Sequence, residues 1–416
     1  MTLLSDSSRR EFLSQAALAG LISPMILGSI GEMSAASQPA SVSDTKRDRK
    51  IKIGLVGGGG RGSWIAGLFQ QDGGYEFHAI ADYFPEVSDR VGQTLGVDKS
   101  RRFSGLSGYK RLIESGVEAV ALETPPFFFP EMAMAAAEAG LHVYMAKPVA
   151  VDAWGCKRIE AASGKATGHK RAFYVDYQMP TDPSNIEVVR QIRAGAIGKL
   201  LSINSYYLGS PFGDPPLTAN LESRLQNLIW VNDNAIGGSY HVNACIHAVD
   251  AAMWAAGAVP KSASGASRVA RNSPHGDSAD IYSITFEYAD GLIHQHEGRH
   301  LANQHDTRGF CGCEIHGEKG TAGLSYSAQA TLLNADTAYK EDVVNLYEAG
   351  ARRSIAQFYQ HVTEGRTDNP TVRHAVDSAL TTILGREAAR RRVYLTMERL
   401  IKENQRLEIN LKGLKS

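Results

Sequence analysis

The sequence predicts an α/β chain with two parts. The first is a doubly wound parallel sheet of the Rossmann type; the second is an α+β domain with a large, mostly antiparallel open sheet. Three observations predict this. From Ile51 onward, short apolar runs alternate with helical segments in βαβαβ order. Beyond Met179 the alternation yields to a helix and then to runs of probable strands. The chain has 416 residues, enough for two separate cores.

Residues 1–36 read as a leader. Ser8-Arg9-Arg10-Glu11-Phe12-Leu13 places a twin arginine before the apolar stretch "AALAGLISPMILGSIG", and the small-residue segment "EMSAASQPASVS" follows. That pattern describes a twin-arginine export signal, with cleavage expected after Ala36. The apolar run falls short of the ~20 residues of a spanning helix. A periplasmic or otherwise exported protein is therefore expected, with the twin-arginine translocase as its partner during export; a tether through an uncleaved leader is the alternative. Residues 37–50, "SQPASVSDTKRDRK", are polar and aperiodic and read as a linker.

Residues 51–178 form the first expected domain. "IKIGLVG", "EFHAIAD", "VEAVALET" and "HVYMAKP" are strands; "RGSWIAGLFQQ", "EVSDRVGQTLG" and "PEMAMAAAEAG" are the helices between them. A helix near 152–163 and the strand "RAFYVDYQ" complete it. In the second domain, 179–416, "IEVVRQIRAGAIG" is a helix and "KLLSINSYYLG" a strand, followed by a long loop over 210–236. "YHVNACIHAVDAAMWAAG" is again a helix. Asp290-Gly291 then makes a hairpin turn, and Tyr282, Ile284, Phe286 and Tyr288 share one strand face as core or interface. A last helix around "DSALTTILGREAARRRVYL" ends the chain, its charge run "ARRRVYLTMERLIKENQR" reading as a solvated face.

Composition narrows the function classes. Hydrophobic residues are 43% and charged residues 21%, the balance of a globular protein. Lys plus Arg and Asp plus Glu are both 44, so no charge excess favours nucleic acid or an acidic membrane. Four cysteines, unevenly spaced, make no disulfide framework.

The chemistry begins in "GLVGGGGRGSWIAG". Gly57, Gly59 and Gly62 have the spacing G-x-G-x-x-G, the motif follows a strand and opens a helix, and Asp82 ends the next strand about 20 residues later. The glycines permit a tight turn, backbone approach to a pyrophosphate and close helix packing, and the anion sits at the helix N-terminus. Asp82 would accept from the ribose hydroxyls and repel a 2′-phosphate, favouring NAD over NADP. Gly60 and Arg61 within the turn, and Thr124 and Pro125 at the end of "VEAVALET", belong to the same expected cofactor site.

Lys147, in "MAKPVA", stands at the carboxyl end of a parallel strand, where ligands bind in such sheets. Its ammonium could meet a substrate hydroxyl near the nicotinamide. Asn243 and His247 stand one helical turn apart, with Asp250 within reach of His247. A histidine there can take a hydroxyl proton as hydride leaves the same carbon.

Together these residues resemble the Gfo/Idh/MocA oxidoreductases, whose members act on sugars, inositols and their derivatives. The resemblance covers nearly everything after residue 50: the glycine turn, "VEAVALETPPFFFPEMAMAAAEAGLHVYMAKPVA", "GGSYHVNACIHAVDAAMW", "GEKGTAGL" and "LTTILGREAA". It implies that Lys147 orients the reacting hydroxyl, that His247 is the acid/base, and that the open sheet mediates a homodimer or homotetramer. The sequence departs from the family pattern at Ala146, where a Glu is usual, and at Asn243, where many members have Asp. Phe127 to Phe129 stand where relatives carry histidine, and Glu123 is unusual at its strand end.

Other candidates are weaker. Tyr206, Tyr207, Tyr240 and Arg299 suit a polyhydroxylated ligand, with Asn243 and His247 beside them. His294, His296 and His300 share parity on one strand, and Cys311, Cys313 and His316 follow. Without a zinc-type spacing they read as a polar strand face along the substrate groove, and no metal is expected. The expected protein is an exported NAD-dependent oxidoreductase that keeps its cofactor tightly bound and acts on a sugar, polyol or sugar derivative. Two alternatives are a redox-neutral glycosidase or lyase that uses bound NAD as a transient oxidant, and a non-catalytic sugar-binding relative.

Overall fold

A computed structural model describes residue 47 and residues 49–302 and 309–416. The leader and most of the linker lie outside the described residues. Six strands form the first sheet: β1 (Ile51–Val56), β2 (Tyr75–Asp82), β3 (Arg102–Ser104), β4 (Ala119–Leu122), β5 (His142–Ala146) and β6 (Phe173–Asp176), in the order β3-β2-β1-β4-β5-β6. Every pairing is parallel. The reversal of order between β1 and β4 opens a crevice at their carboxyl ends. Apolar runs such as "AVAL" in β4 are buried throughout because helices cover both faces. The short β3 and the helix Gly108–Ile113 occupy a stretch where the sequence pattern predicted no element.

Nine strands form the second sheet: β7 (Leu200–Gly209), β8 (Ser262–Arg268), β9 (Ile281–Glu287), β10 (Ile293–His300), β11 (Cys311–Gly317), β12 (Gly320–Ser325), β13 (Gln329–Asn334), β14 (Ala338–Asp342) and β15 (Leu395–Thr396). Their order is β14-β13-β12-β11-β7-β10-β9-β8-β15. Among the described residues β7 and β10 pair in parallel and the other neighbours are antiparallel. The hairpin turns at Gly291, where φ is 90°. Tyr282, Ile284, Phe286 and Tyr288 are core. The helices Ile246–Ala256 and Pro370–Arg391 pack on that inner face, while Ser283, Gln295, Glu314 and Thr321 of the other face are exposed.

Three expectations need correction. The chain past residue 345 does not stay with the second sheet. The helix Leu346–Thr363 returns to the first, where Ile355 and Phe358 join the core of Ile51, Phe69 and Tyr75, and Tyr75 Oη donates to the Ile355 carbonyl at 2.7 Å. The last long helix also stops at Arg391. Arg392 turns into the left-handed region at φ 52°, Leu395 and Thr396 pair with β8, and a further helix spans Met397–Glu403. Nor is the arginine run merely solvated: Arg390 and Arg391 ion-pair with Glu387, and Arg391 also with Glu403. Among the described residues no helix is long and apolar enough to cross a membrane.

The long loop after β7 is anchored by charge. Arg224, with no exposed surface, meets Asp214 at 2.6 Å and Asp233 at 2.8 Å, and Arg271 joins Asp214 to Asp280 at 2.7 and 2.6 Å. Burial alone would raise the Asp214 carboxyl, but the His275 N–H and the two guanidiniums outweigh it and hold it at about 2. The unfolded value is about 3.9, so this stabilisation is complete above that pH and is lost as pH falls through about 2. Asp214→Asn should cost on the order of 1–3 kcal/mol at neutral pH. It should also flatten the acid limb of stability between these two pH values, as read by denaturant melts across pH.

Candidate functional site

The turn after β1 assigns a separate task to each glycine. Gly57 has φ +94°, and a Cβ on it would lie 2.7 Å from the Glu123 main chain; a Cβ on Gly62 would lie 1.9 Å from the Gly57 carbonyl. Those two are required by the chain itself. Gly59, with φ −63° and ψ −167°, has a conformation open to any residue, and its Cβ would meet nothing within 4 Å. Its bareness leaves room for a group from outside the chain. The helix that follows, Gly60–Asp72, has no side-chain cap and no acidic residue in its first turn, so its N-terminal N–H groups face that room. Asp82 ends β2 and accepts from Gly58 N at 2.7 Å and Phe84 N at 2.9 Å. It therefore stands at the turn and fixes its shape; burial raises its pKa against these two bonds. Thr124 and Pro125 follow β4 across the crevice, half-buried, with the Thr124 amide beside Gly57. The residues present fit a dinucleotide.

Arg61 does not face outward from this turn, contrary to its expected place among the cofactor contacts. Its Nε stands 3.0 Å from Glu123 Oε2, and its Nη2 meets Asp176. Glu123, Lys147 and Asp176 lie side by side because they close or follow β4, β5 and β6, and Asp176 is in register with Ala146. Burial pushes the Glu123 carboxyl up to about 7, with Arg61 pulling down and Asp176 pushing further up. Burial, with Arg61 adding, brings the Lys147 ammonium down to about 7 against the pull of Asp176, Cys311 and Glu123. Lys147 Nζ donates to the Asn243 carbonyl at 2.6 Å. The sequence marked Glu123 only as unusual and did not single out Asp176. The signal that joins them is their common place at the carboxyl ends of adjacent strands.

Asn243 lies in a π-helical turn, His241–Cys245, that runs into the helix Ile246–Ala256 carrying His247. The widened turn was not expected from the sequence. His247 is buried and stacks against Tyr207 with ring centroids 6.2 Å apart, and Tyr326 packs edge-on at 5.2 Å. Burial, then the positive charges of Lys147 and Arg61, hold its pKa well below the usual value. A neutral imidazole next to a lysine is thus placed to receive a proton. Asp250 does not support it, contrary to expectation. Its Oδ1 lies 2.6 Å from His374 Nε2 and accepts from Ser378 Oγ at 2.6 Å, both on the helix Pro370–Arg391.

The other candidates separate by sheet face. Tyr207 is on the inner face with His247, so Tyr206, one residue away, is on the outer face; Arg299 is there too, 2.8 Å from Glu297. The strand alternation removes both from Lys147. Tyr240 is inside but committed: it has 1% of its surface exposed, its hydroxyl donates to the Arg299 carbonyl at 2.8 Å, and it stacks on His300 at 4.4 Å. His294, His296 and His300 are buried in the core and line no open groove. Cys311 and Cys313 are also buried, whereas His316 has the opposite parity.

Comparison with known proteins adds the following. Residues 51–174 match a family described as an oxidoreductase family with an NAD-binding Rossmann fold, and residues 186–323 match the Gfo/Idh/MocA C-terminal domain. The chain is 25% identical over 309 residues to levoglucosan dehydrogenase of Pseudarthrobacter phenanthrenivorans, covering 68% of this chain and 76% of that protein. It is also 25% identical over 228 residues to scyllo-inositol 2-dehydrogenase (NAD(+)) of Bacillus subtilis, covering 54% and 59%. Its fold is that of levoglucosan dehydrogenase in complex with NADH and levoglucosan, with a TM-score of 0.67, 20% identity, and coverage of 84% of this chain and all of the other. Aldose-aldose oxidoreductase from Caulobacter crescentus gives a TM-score of 0.66 at 20% identity with the same coverage.

The division among the glycines predicts a split between stability and binding. Gly62→Ala should destabilise by about 1–3 kcal/mol or more through overpacking. Gly59→Ala should cost no more than about 1 kcal/mol as a poorer cap, yet weaken NAD binding by at least about tenfold, or about 1.4 kcal/mol. Thermal melts and calorimetric titration with NAD separate the two.

Proposed function

The chain belongs to the Gfo/Idh/MocA oxidoreductase family, and from that premise we propose that it is an NAD-dependent oxidoreductase oxidising a secondary hydroxyl of a sugar, polyol or sugar derivative. The observation that carries this reading is that Lys147, at the carboxyl end of β5, bonds the Asn243 carbonyl in the turn leading into the helix of His247 and acts on that imidazole by its charge. Levoglucosan and scyllo-inositol, named in two relatives, are polyhydroxylated rings, and that supports the substrate class.

Bound NAD supplies the hydride acceptor. The chain's residues do the rest. In its ammonium form Lys147 spends one N–H on the Asn243 carbonyl and keeps two donors to hold and polarise a hydroxyl oxygen. His247, kept neutral by burial and by its cationic neighbours, takes the hydroxyl proton as the C–H bond breaks. Asn243 contributes through its main chain, so an amide in place of the family's Asp does not remove the lysine's partner. Tyr207 and Tyr326 pack the imidazole and exclude water from it.

A second reading, redox-neutral cleavage of a glycoside, draws on Glu123. A buried carboxyl held at about 7 is a second proton-exchanging group in the same crevice, as an elimination requires. For localisation, the twin arginine at Arg9 and Arg10 supports export of the folded protein with NAD already in place. The open second sheet supports a homodimer or homotetramer.

Lys147→Ala should lower kcat by about 10²–10³-fold with little change in NAD affinity, and His247→Gln by about 10²–10⁴-fold. Steady-state kinetics on a panel of sugars and inositols, with product analysis, checks both: stoichiometric ketosugar and NADH support oxidation, cleavage without net NADH supports the second reading, and failure to bind NAD removes both. Replacing Arg9 and Arg10 by lysine should leave the protein in the cytoplasm, as read by cell fractionation.

A further inference from the structure

Behind the lysine and histidine of the crevice lies a second, enclosed cluster. His241 and Cys245, one turn apart on the π-turn, face His296 of β10, and one donor atom from each lies within 4.8 Å of the others. His241 and Cys245 have no exposed surface and His296 has 2%. We propose that His241, Cys245 and His296 bind a thiophilic closed-shell cation, Zn(II) or Cu(I), that pins the π-turn to the second sheet.

Four observations carry it. Neither ring nitrogen of His241 has a hydrogen-bond partner, and neither does Nε2 of His296, although all three atoms are buried. Unmet polar atoms of this kind are rare in a folded core, and a metal would satisfy them. Ser205 Oγ lies 2.7 Å from His294 Nε2 and 2.7 Å from His296 Nδ1. When the hydroxyl donates to His294 and accepts from His296 Nδ1–H, the His296 Nε2 lone pair is turned into the cluster; a ligating histidine is commonly oriented by such a bond from its other nitrogen. Third, space is kept beside the donors: a Cβ at Gly298 would lie 2.7 Å from Cys245 Sγ and 3.5 Å from His296 Nε2. Fourth, two imidazoles and a thiolate are the donor set that borderline and soft cations select. Zn–N and Zn–S bonds of about 2.1 and 2.3 Å put ligand atoms roughly 3.3–3.8 Å apart, so a small inward movement of three side chains closes the site.

Positive groups act on two of the three donors, Arg386 on His241 and Lys147 on Cys245. Arg386 and His294 face His241, and the Arg386 guanidinium is bound by Glu387 at 3.1 Å. As the sulfur–metal bond forms, the Cys245 thiol proton leaves to solvent, and the thiolate offsets one unit of the ion's charge. The site is separate from the NAD crevice and does not rest on the oxidoreductase reading. It would act by position, because the same turn carries the Asn243 carbonyl that holds Lys147.

The test is metal analysis of the full-length protein, with its NAD, after dialysis. Elemental mass spectrometry should find about one equivalent of zinc or copper per chain, and a Cu(I)-specific chelator distinguishes the two. After chelation, Co(II) should give a thiolate-to-cobalt absorption band, and the thermal midpoint should fall. Cys245→Ser and His296→Gln should lose the metal and the band, whereas Cys156→Ser, in a helix of the first domain, should keep both. Less than about a tenth of an equivalent as isolated, with no Zn(II), Cu(I) or Co(II) uptake by the folded wild-type chain, overturns the proposal. So does undiminished metal in folded Cys245→Ser. If neither variant folds, the wild-type stoichiometry and the cobalt band decide.

Discussion

The hydrogen bond from Lys147 Nζ to the Asn243 carbonyl, 2.6 Å long, ties the carboxyl edge of the first sheet to the π-turn of the second domain. A buried ammonium is costly unless its protons are taken up. Here the acceptor is main chain, which no substitution of the side chain at 243 can delete. The family's usual Glu at 146 is likewise replaced in kind rather than simply lost. Glu123, just past β4, and Asp176, at the end of β6, act on Lys147 as acids from the strands on either side of β5.

That rearrangement gives the crevice an unusual balance. Glu123 and Lys147 reach about 7 from opposite directions, both driven first by burial. Burial thus drives both groups toward their neutral forms, the carboxyl upward and the ammonium downward, while each acts on the other in the opposite sense. Arg61, paired with both acids, keeps the carboxylates from being left uncompensated when the lysine's partner changes. The arginine of the glycine turn therefore serves the acids at the carboxyl ends of the neighbouring strands.

Much of this was legible in the sequence, and the limits are physical. The first sheet could be read because β1, β2, β4 and β5 are short, mostly apolar runs alternating with helical segments, and because the glycine spacing fixes a strand–turn–helix. The places of Lys147 and His247 could be read because each follows from its element, while their roles were implied only by the family resemblance. Asp250 misled because helical spacing puts it near His247, while its real partner, His374, comes from a helix more than a hundred residues on. Tyr206 and Tyr207 could not be told apart, since adjacent tyrosines give alternation no handle on which one faces the site. The return of the helix Leu346–Thr363 to the first sheet is decided by tertiary packing of Ile355 and Phe358 and leaves no local signature.

The π-turn at His241–Cys245 has one more consequence. An α-helix advances 100° per residue, so widening one turn lets the side chains before it and after it be aimed independently. Tyr240 and His241 can point at the second sheet while His247 points at the crevice, although a regular helix through the same residues would fix the angle between them. The turn works as a phase adjuster. Deleting a single residue within it would keep the helix but rotate one half against the other, turning the core anchor away from the direction in which His247 points.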